Sequence, residues 1–146
     1  MITDAQLMFS DSQVITGTGN LASTNVIDLG KARDLERAYG QLRFVSEVTV
    51  SLAGGTSIAV QLQQSTVAAM TSPDVIYTGP TVALASAVAG AKLVDTNIPT
   101  PSPLAAKQFL NVNYVLVGTF TGTGAVWTGF VLNDEGGELR LGQVGF

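Results

Sequence analysis

The chain has 146 residues, 46% of them hydrophobic and only 12% charged, with a net charge of −4 at pH 7. Low charge with high hydrophobicity excludes intrinsic disorder, and the length fits one domain over residues 1–146. Histidine and cysteine are absent, which excludes disulfides, Cys or His metal sites, thiol chemistry and Ser-His-Asp catalysis.

Residues 6–15 and 25–29 read as short strands. Between them, Gly17-Thr18-Gly19-Asn20-Leu21-Ala22 matches the dinucleotide pattern G-x-G-x-x-G/A. That site needs a strand before it and a helix N-terminus after it to receive the pyrophosphate. The following Ser23-Thr24-Asn25-Val26-Ile27-Asp28 is strand-like instead. A glycine-rich loop between strands is therefore expected, and no cofactor is assigned. Residues 31–39 (KARDLERAY) have the composition of a helix of at most two turns.

In residues 42–52, Leu42, Phe44, Ser46, Val48, Val50 and Leu52 recur at a spacing of two. A helix would set the first two about 200° apart, so the pattern predicts a half-buried strand. Ala53-Gly54-Gly55-Thr56 reads as a turn, after which Ile58, Val60 and Leu62 alternate with Ala59, Gln61 and Gln63. The two strands are expected to pair as a β-hairpin. Shorter strands are expected at 75–78 and 92–95, with a helical turn inside the alanine-rich residues 81–91. Pro99, Pro101 and Pro103 impose an extended, polyproline-like connection. Residues 109–117 place Leu110, Val112, Tyr114 and Leu116 on one face; 118–124 read as a flexible connection and 125–132 as a returning strand. A polar turn at Asp134-Glu135-Gly136-Gly137 and a strand at 139–144 complete the set. Eight or nine short strands with Gly and Pro punctuation imply an all-β, antiparallel sandwich or barrel.

Chemistry finds little purchase. Asp134, Glu135 and Glu138 are the one tight acidic group, but they sit in a Gly-Gly turn without the spacing of an EF-hand loop. Any of many hydroxyls could approach Lys92 or Lys107, and nothing singles one out. No enzyme, metal or cofactor is expected. Seven Lys plus Arg in an acidic chain argue against direct nucleic-acid binding. No basic region followed by an apolar run opens the chain, so no secretory signal is expected. The longest apolar run, 82–91, is well short of the ~20 residues of a membrane span, so no membrane partner is expected either. Trp127, Phe130, Phe120, Phe109 and Tyr114 cluster on or beside the last strands, as core or as a carbohydrate platform.

Charge is unevenly distributed. Asp28, Lys31, Arg33, Asp34, Glu36, Arg37, Arg43 and Glu47 are eight of the 18 charges, whereas residues 48–133 hold only Asp74, Lys92, Asp95 and Lys107. Isolated monomers stud outer strand faces with charge. Thr, Ser, Gln, Asn and Ala at those positions are expected where other chains cover the sheets, the alternative being a Thr- and Gln-surfaced monomer.

Phe9-Ser10-Asp11-Ser12-Gln13 and Ser23-Thr24-Asn25-Val26-Ile27-Asp28-Leu29-Gly30, followed in order by the 42–62 pair, the proline segment and Phe109-Leu110-Asn111-Val112-Asn113-Tyr114, resemble the Bbp16-type capsid cement proteins of tailed bacteriophages. The resemblance covers nearly the whole chain. It implies a single-domain jelly-roll β-sandwich with no catalysis, self-associated as a dimer or trimer. It also implies binding to the major capsid protein on the outer surface of the virion, after synthesis in the host cytoplasm. The charged set from Asp28 to Glu47 is then expected to contact the capsid and fix register, while the neutral faces carry apolar burial. A carbohydrate- or receptor-binding jelly-roll module of a phage particle is the competing reading, and an enzyme the third.

Overall fold

The computed structural model describes residues 3–30, 42–97 and 107–132. Within them, eight strands form one antiparallel sheet: β1 (Thr3–Ala22), β2 (Ile27–Asp28), β3 (Leu42–Val50), β4 (Gly55–Ser65), β5 (Asp74–Thr78), β6 (Val82–Ala83), β7 (Lys92–Asn97) and β8 (Phe109–Leu132). The expected all-β antiparallel class is borne out, and the one helical element described is a 3-10 turn at Leu84–Ser86, inside the alanine-rich stretch.

β8 is the spine. Along one side it pairs with β1 from Thr3↔Val131 to Ala22↔Asn113, and β2 continues that side at Ile27↔Leu110. Along the other side it pairs first with β4, from Ser65↔Phe109 to Gly55↔Gly118, and then with β3, from Val50↔Ala125 to Leu42↔Leu132. β7 extends the sheet beyond β3, and β5 and β6 extend it beyond β4.

The sheet folds back on itself. The Tyr114 phenol oxygen lies 2.7 Å from Thr128 Oγ1, although the two residues are 14 apart on β8. A straight strand would separate them by ~46 Å at ~3.3 Å per residue. The fold line crosses β8 between these residues. One layer therefore holds β7, β3, the C-terminal half of β8 and the N-terminal half of β1. The other holds β5, β6, β4, the N-terminal half of β8, the C-terminal half of β1, and β2. Positive-φ glycines mark the line on each long track: Gly17 and Gly19 in β1, Gly118 and Gly122 in β8, Gly54 between β3 and β4. At Gly118 both reasons for glycine apply, since φ is +80° and a Cβ would stand 2.8 Å from Thr56 N.

This wiring corrects both expected hairpins. β3 and β4 do not pair with each other; they run end to end along β8. Residues 109–117 and 125–132 are likewise two halves of one strand, with 118–124 paired through the corner. The glycine-rich run 17–22 lies within β1 and is not a loop between strands. Alternation reports which face a residue takes, and both arrangements share that pattern. The deciding factor is whether the glycine turn reverses the chain or carries it round a corner.

The core lies between the layers. Phe9, Phe44 and Phe130 of the first layer pack edge to face or tilted, with ring centroids 5.3 to 6.3 Å apart. Facing them are Ile58, Val60, Leu62, Val112, Tyr114 and Leu116, all buried, which bears out the inward face read for residues 110–116. The Phe44 ring also meets Tyr77 across the layers at 6.2 Å. On β3 the inward run breaks at Val50, which is 50% exposed because a register shift follows Val48.

A chain of hydroxyls crosses this core. Tyr114 donates to Ser10 Oγ (2.8 Å), and Ser10 donates to Gln13 Oε1 (2.6 Å). Having given its single proton to Ser10, Tyr114 accepts from Thr128, and Thr128 accepts from Ser46 Oγ at 2.8 Å. Burial pushes the Tyr114 phenol up to about 12, against the opposing pull of Ser10 and Thr128.

Candidate functional site

The two sequence segments that carry the family resemblance touch each other. Gln13 Oε1 accepts the backbone N–H of Thr24 at 3.0 Å, and Gln13 Nε2 donates to the carbonyl of Ala22 at 2.8 Å. The Asn25 N–H donates to Phe9 O (2.9 Å), and Thr24 Oγ1 donates to the same carbonyl. Asn25 Nδ2 reaches Met8 O. The 22–25 segment thereby covers the edge of β1 in the first layer, where unpaired backbone groups would otherwise invite another strand. Asp11 and Ser12 bulge outward between Ser10↔Thr128 and Gln13↔Val126, with Ser12 at φ +51°.

Of the charged set expected to meet a partner, Lys31, Arg33, Asp34, Glu36 and Arg37 lie outside the described residues. Asp28 is exposed at the start of β8, where its Oδ1 accepts from Gln108 Nε2 (2.8 Å) and Gly30 N (2.7 Å). Those two donors, Gln108 first, hold its carboxyl below the ordinary aspartate value. Arg43 pairs with Asp95 on β7, which also receives Lys92 Nζ at 3.3 Å. Glu47 is half-buried on β3, with Lys92 as its register partner on one side and Trp127 on the other. Asp28 and Arg43 both lie at the open end of the folded sheet, opposite the glycine corner, since one pairs at Phe109 and the other at Val131. Lys107 and Asp74 form an ion pair at 2.5 Å at that same end.

The aromatic residues do not line up as a platform. Tyr114, Phe120 and Phe130 are buried in the core, and Phe109 and Trp127 are half-buried. The Trp127 ring lies against Gly129, where a Cβ would stand 3.0 Å from Cη2. Beside it on the first layer's outer face, Val14 and Val50, each about half exposed, flank Ala125 in register.

Sequence reasoning did not find the most ordered feature of the surface. On the second layer's outer face, four side chains from four strands form a continuous amide and hydroxyl row. Gln61 Nε2 donates to Thr78 Oγ1 (3.4 Å), and Asn113 Nδ2 donates to Gln61 Oε1 (3.1 Å) and to Asn20 Oδ1 (3.2 Å). Ser57, Ala59, Val115 and Val117 extend the face toward the corner, and Gln63 and Asn111 extend it toward the open end. Asn111 Oδ1 is buried and finds no hydrogen-bond partner among the described residues. The only sequence signal for this face is the lack of charge, because its four contributors lie in four distant segments.

No curated protein matches the chain. The Bbp16 family model matches residues 9–129, from the first core phenylalanine to the glycine beneath Trp127. The chain therefore belongs to the Bbp16 family, a family of bacteriophage structural proteins.

Proposed function

We propose that the chain is a cement protein: it binds the outer surface of a phage capsid, self-associates there, and ties neighbouring major capsid protein subunits together. On this reading the curled sheet is a jelly-roll β-sandwich, and the protein works without catalysis or cofactor. The observation that carries the reading is the pair of outer sheet faces. One carries a row of uncharged amides and hydroxyls already hydrogen-bonded side chain to side chain, with the exposed Asp28 at its open end. The other sets half-exposed valines beside Trp127, next to the charged β3–β7 edge. Burying such surfaces costs little desolvation and little side-chain entropy. A packed shell pushes its subunits apart, and each clamp opposes that separation; repetition over the lattice multiplies weak contacts into avidity.

The test uses empty capsids assembled without the protein. Added protein is expected to cosediment with them and raise their thermal disruption temperature. The Arg33→Glu, Arg37→Glu double variant, which reverses two charges of the expected contact set, is expected to keep its fold and lose about 10-fold or more in capsid affinity. Wild-type protein left in the supernatant overturns the proposal, and unchanged binding by the variant removes these arginines from the contact.

A further inference from the structure

We infer that the outer face of the second layer binds a neutral polysaccharide, laid across the strands along the Thr78–Gln61–Asn113–Asn20 row. Such binding needs nothing of the cement role, which keeps the first layer's outer face and the charged end for contact with a capsid. The hydrogen-bond inventory of the row selects the ligand. Asn113 Nδ2 spends its hydrogens on Gln61 Oε1 (3.1 Å) and Asn20 Oδ1 (3.2 Å), and its own carbonyl is left to accept. Gln61 gives one hydrogen to Thr78 Oγ1 and keeps the other, while Asn20 accepts and keeps both of its own. Across three neighbouring strands the groups left over are therefore donor, acceptor, donor. A hydroxyl is donor and acceptor at once, so neighbouring hydroxyls of one sugar can each take an amide N–H and share the Asn113 carbonyl. The ~4.8 Å strand spacing sets these groups about one sugar ring apart.

Charge narrows the class of sugar. The described strands of this layer hold two charged residues, Asp28 and Asp74, both acidic and both at the open end. Asp28 pairs at Phe109, four residues along β8 from Asn113, which is ~13 Å at ~3.3 Å per residue. No Lys or Arg stands in these strands to receive the carboxylate of an acidic sugar, and a chain of net charge −4 repels one. Toward the corner, Ala59 pairs with the half-buried Val115 and offers apolar surface to the C–H face of a ring.

A second observation lies one pair toward the open end. Asn111 is only 4% exposed, and its Oδ1 has no hydrogen-bond partner. Gln63, its register partner, makes no hydrogen bond among the described residues either, so it can turn aside. A buried acceptor without a donor is costly. A ligand hydroxyl, directly or through one water, supplies the missing donor. The rest of the row is already fixed by its internal bonds, so little rotamer entropy remains to be lost on contact.

The test titrates the isotope-labelled chain with uncharged hexasaccharides of glucose, mannose and galactose, and with hexagalacturonate as the acidic control. At least one neutral hexasaccharide is expected to shift the side-chain amide signals of Gln61, Asn113 and Asn20 with a Kd of about 1 mM or below, and hexagalacturonate to shift none. Asn20→Asp and Gln61→Glu keep the shape of the row but turn its spare donors into acceptors, and each is expected to weaken binding about 10-fold. Val14→Lys, on the other layer, binds as the wild type does. The backbone amide spectrum confirms that each variant is folded. Trp127 fluorescence is expected to stay unchanged, because that ring lies on the first layer's outer face. Silent amide signals with all the neutral sugars, equal binding of hexagalacturonate, unchanged binding by both row variants, or a Trp127 response in place of the amide shifts each overturns the inference. The titration uses the chain without capsids, so its failure leaves the cement reading standing, and failure of capsid cosedimentation leaves the sugar site standing.

Discussion

Gln13 and Thr24 hold the edge of the sandwich shut: the Thr24 N–H donates to Gln13 Oε1 at 3.0 Å, while the amide nitrogen of the same glutamine reaches Ala22 O. This side chain adds to the single backbone bond on the edge of β1, from Asn25 N–H to Phe9 O. Gln13→Ala removes these bonds and the acceptor of Ser10. At ~1 kcal/mol per net hydrogen bond, the expected loss is about 1–3 kcal/mol, read from the urea midpoint at unchanged m-value. Aggregation during refolding is expected to rise, since the edge is uncovered.

Tyr114→Phe tests the hydroxyl chain across the core. The phenol joins Ser10 of one track to Thr128 of another, and its removal leaves Thr128 and Ser10 each short of a partner. A loss of about 1–3 kcal/mol at neutral pH follows. The same variant has a pH signature. With its folded value raised to about 12 from an ordinary 10.0, the native state keeps the proton after the unfolded chain has released it. This contribution is intact below pH 10 and is lost as pH rises from 10 towards 12. Denaturation midpoints measured across that window are expected to fall more steeply for the wild type than for Tyr114→Phe.

Gly118→Ala and Gly30→Ala separate backbone strain from crowding. Both residues have φ near +80°, but a Cβ at Gly30 meets nothing within 4 Å, whereas at Gly118 it meets Thr56 N at 2.8 Å. Gly30→Ala is expected to cost about 1 kcal/mol. Gly118→Ala is expected to cost several times more, because the β4–β8 ladder must part, and its melting temperature reads the difference.

Arg43→Ala is expected to change stability by at most about 1 kcal/mol, since its pair with Asp95 is partly exposed and screened. On the cement reading it weakens capsid binding more than it weakens the fold, and binding isotherms beside thermal melts compare the two.

The residues legible in the sequence are those whose role is set by their own strand. Leu110, Val112, Tyr114 and Leu116 alternate because one face is buried, and burial follows from local pattern. Pairing was not legible. The corner at Gly54 and Gly118 depends on contacts between residues more than sixty apart, and a glycine turn reads the same whether it reverses the chain or bends it. Val45 is buried although it falls on the side of β3 opposite Leu42, Phe44 and Val48, again through neighbours distant in sequence. The motif resemblance located the family, yet Gln13, Ser23 and Thr24 owe their place to closing the fold. The neutral outward positions were legible as composition; their order as a four-strand row was not, because Thr78, Gln61, Asn113 and Asn20 carry no common spacing.

Cryo-electron microscopy of the parent phage particle bears most directly on the central claim. The account predicts density for this chain on the outside of the shell, with its sheet faces or charged end against capsid subunits or other copies of the chain. A particle without the chain, or one in which both sheet faces lie open to solvent, contradicts it.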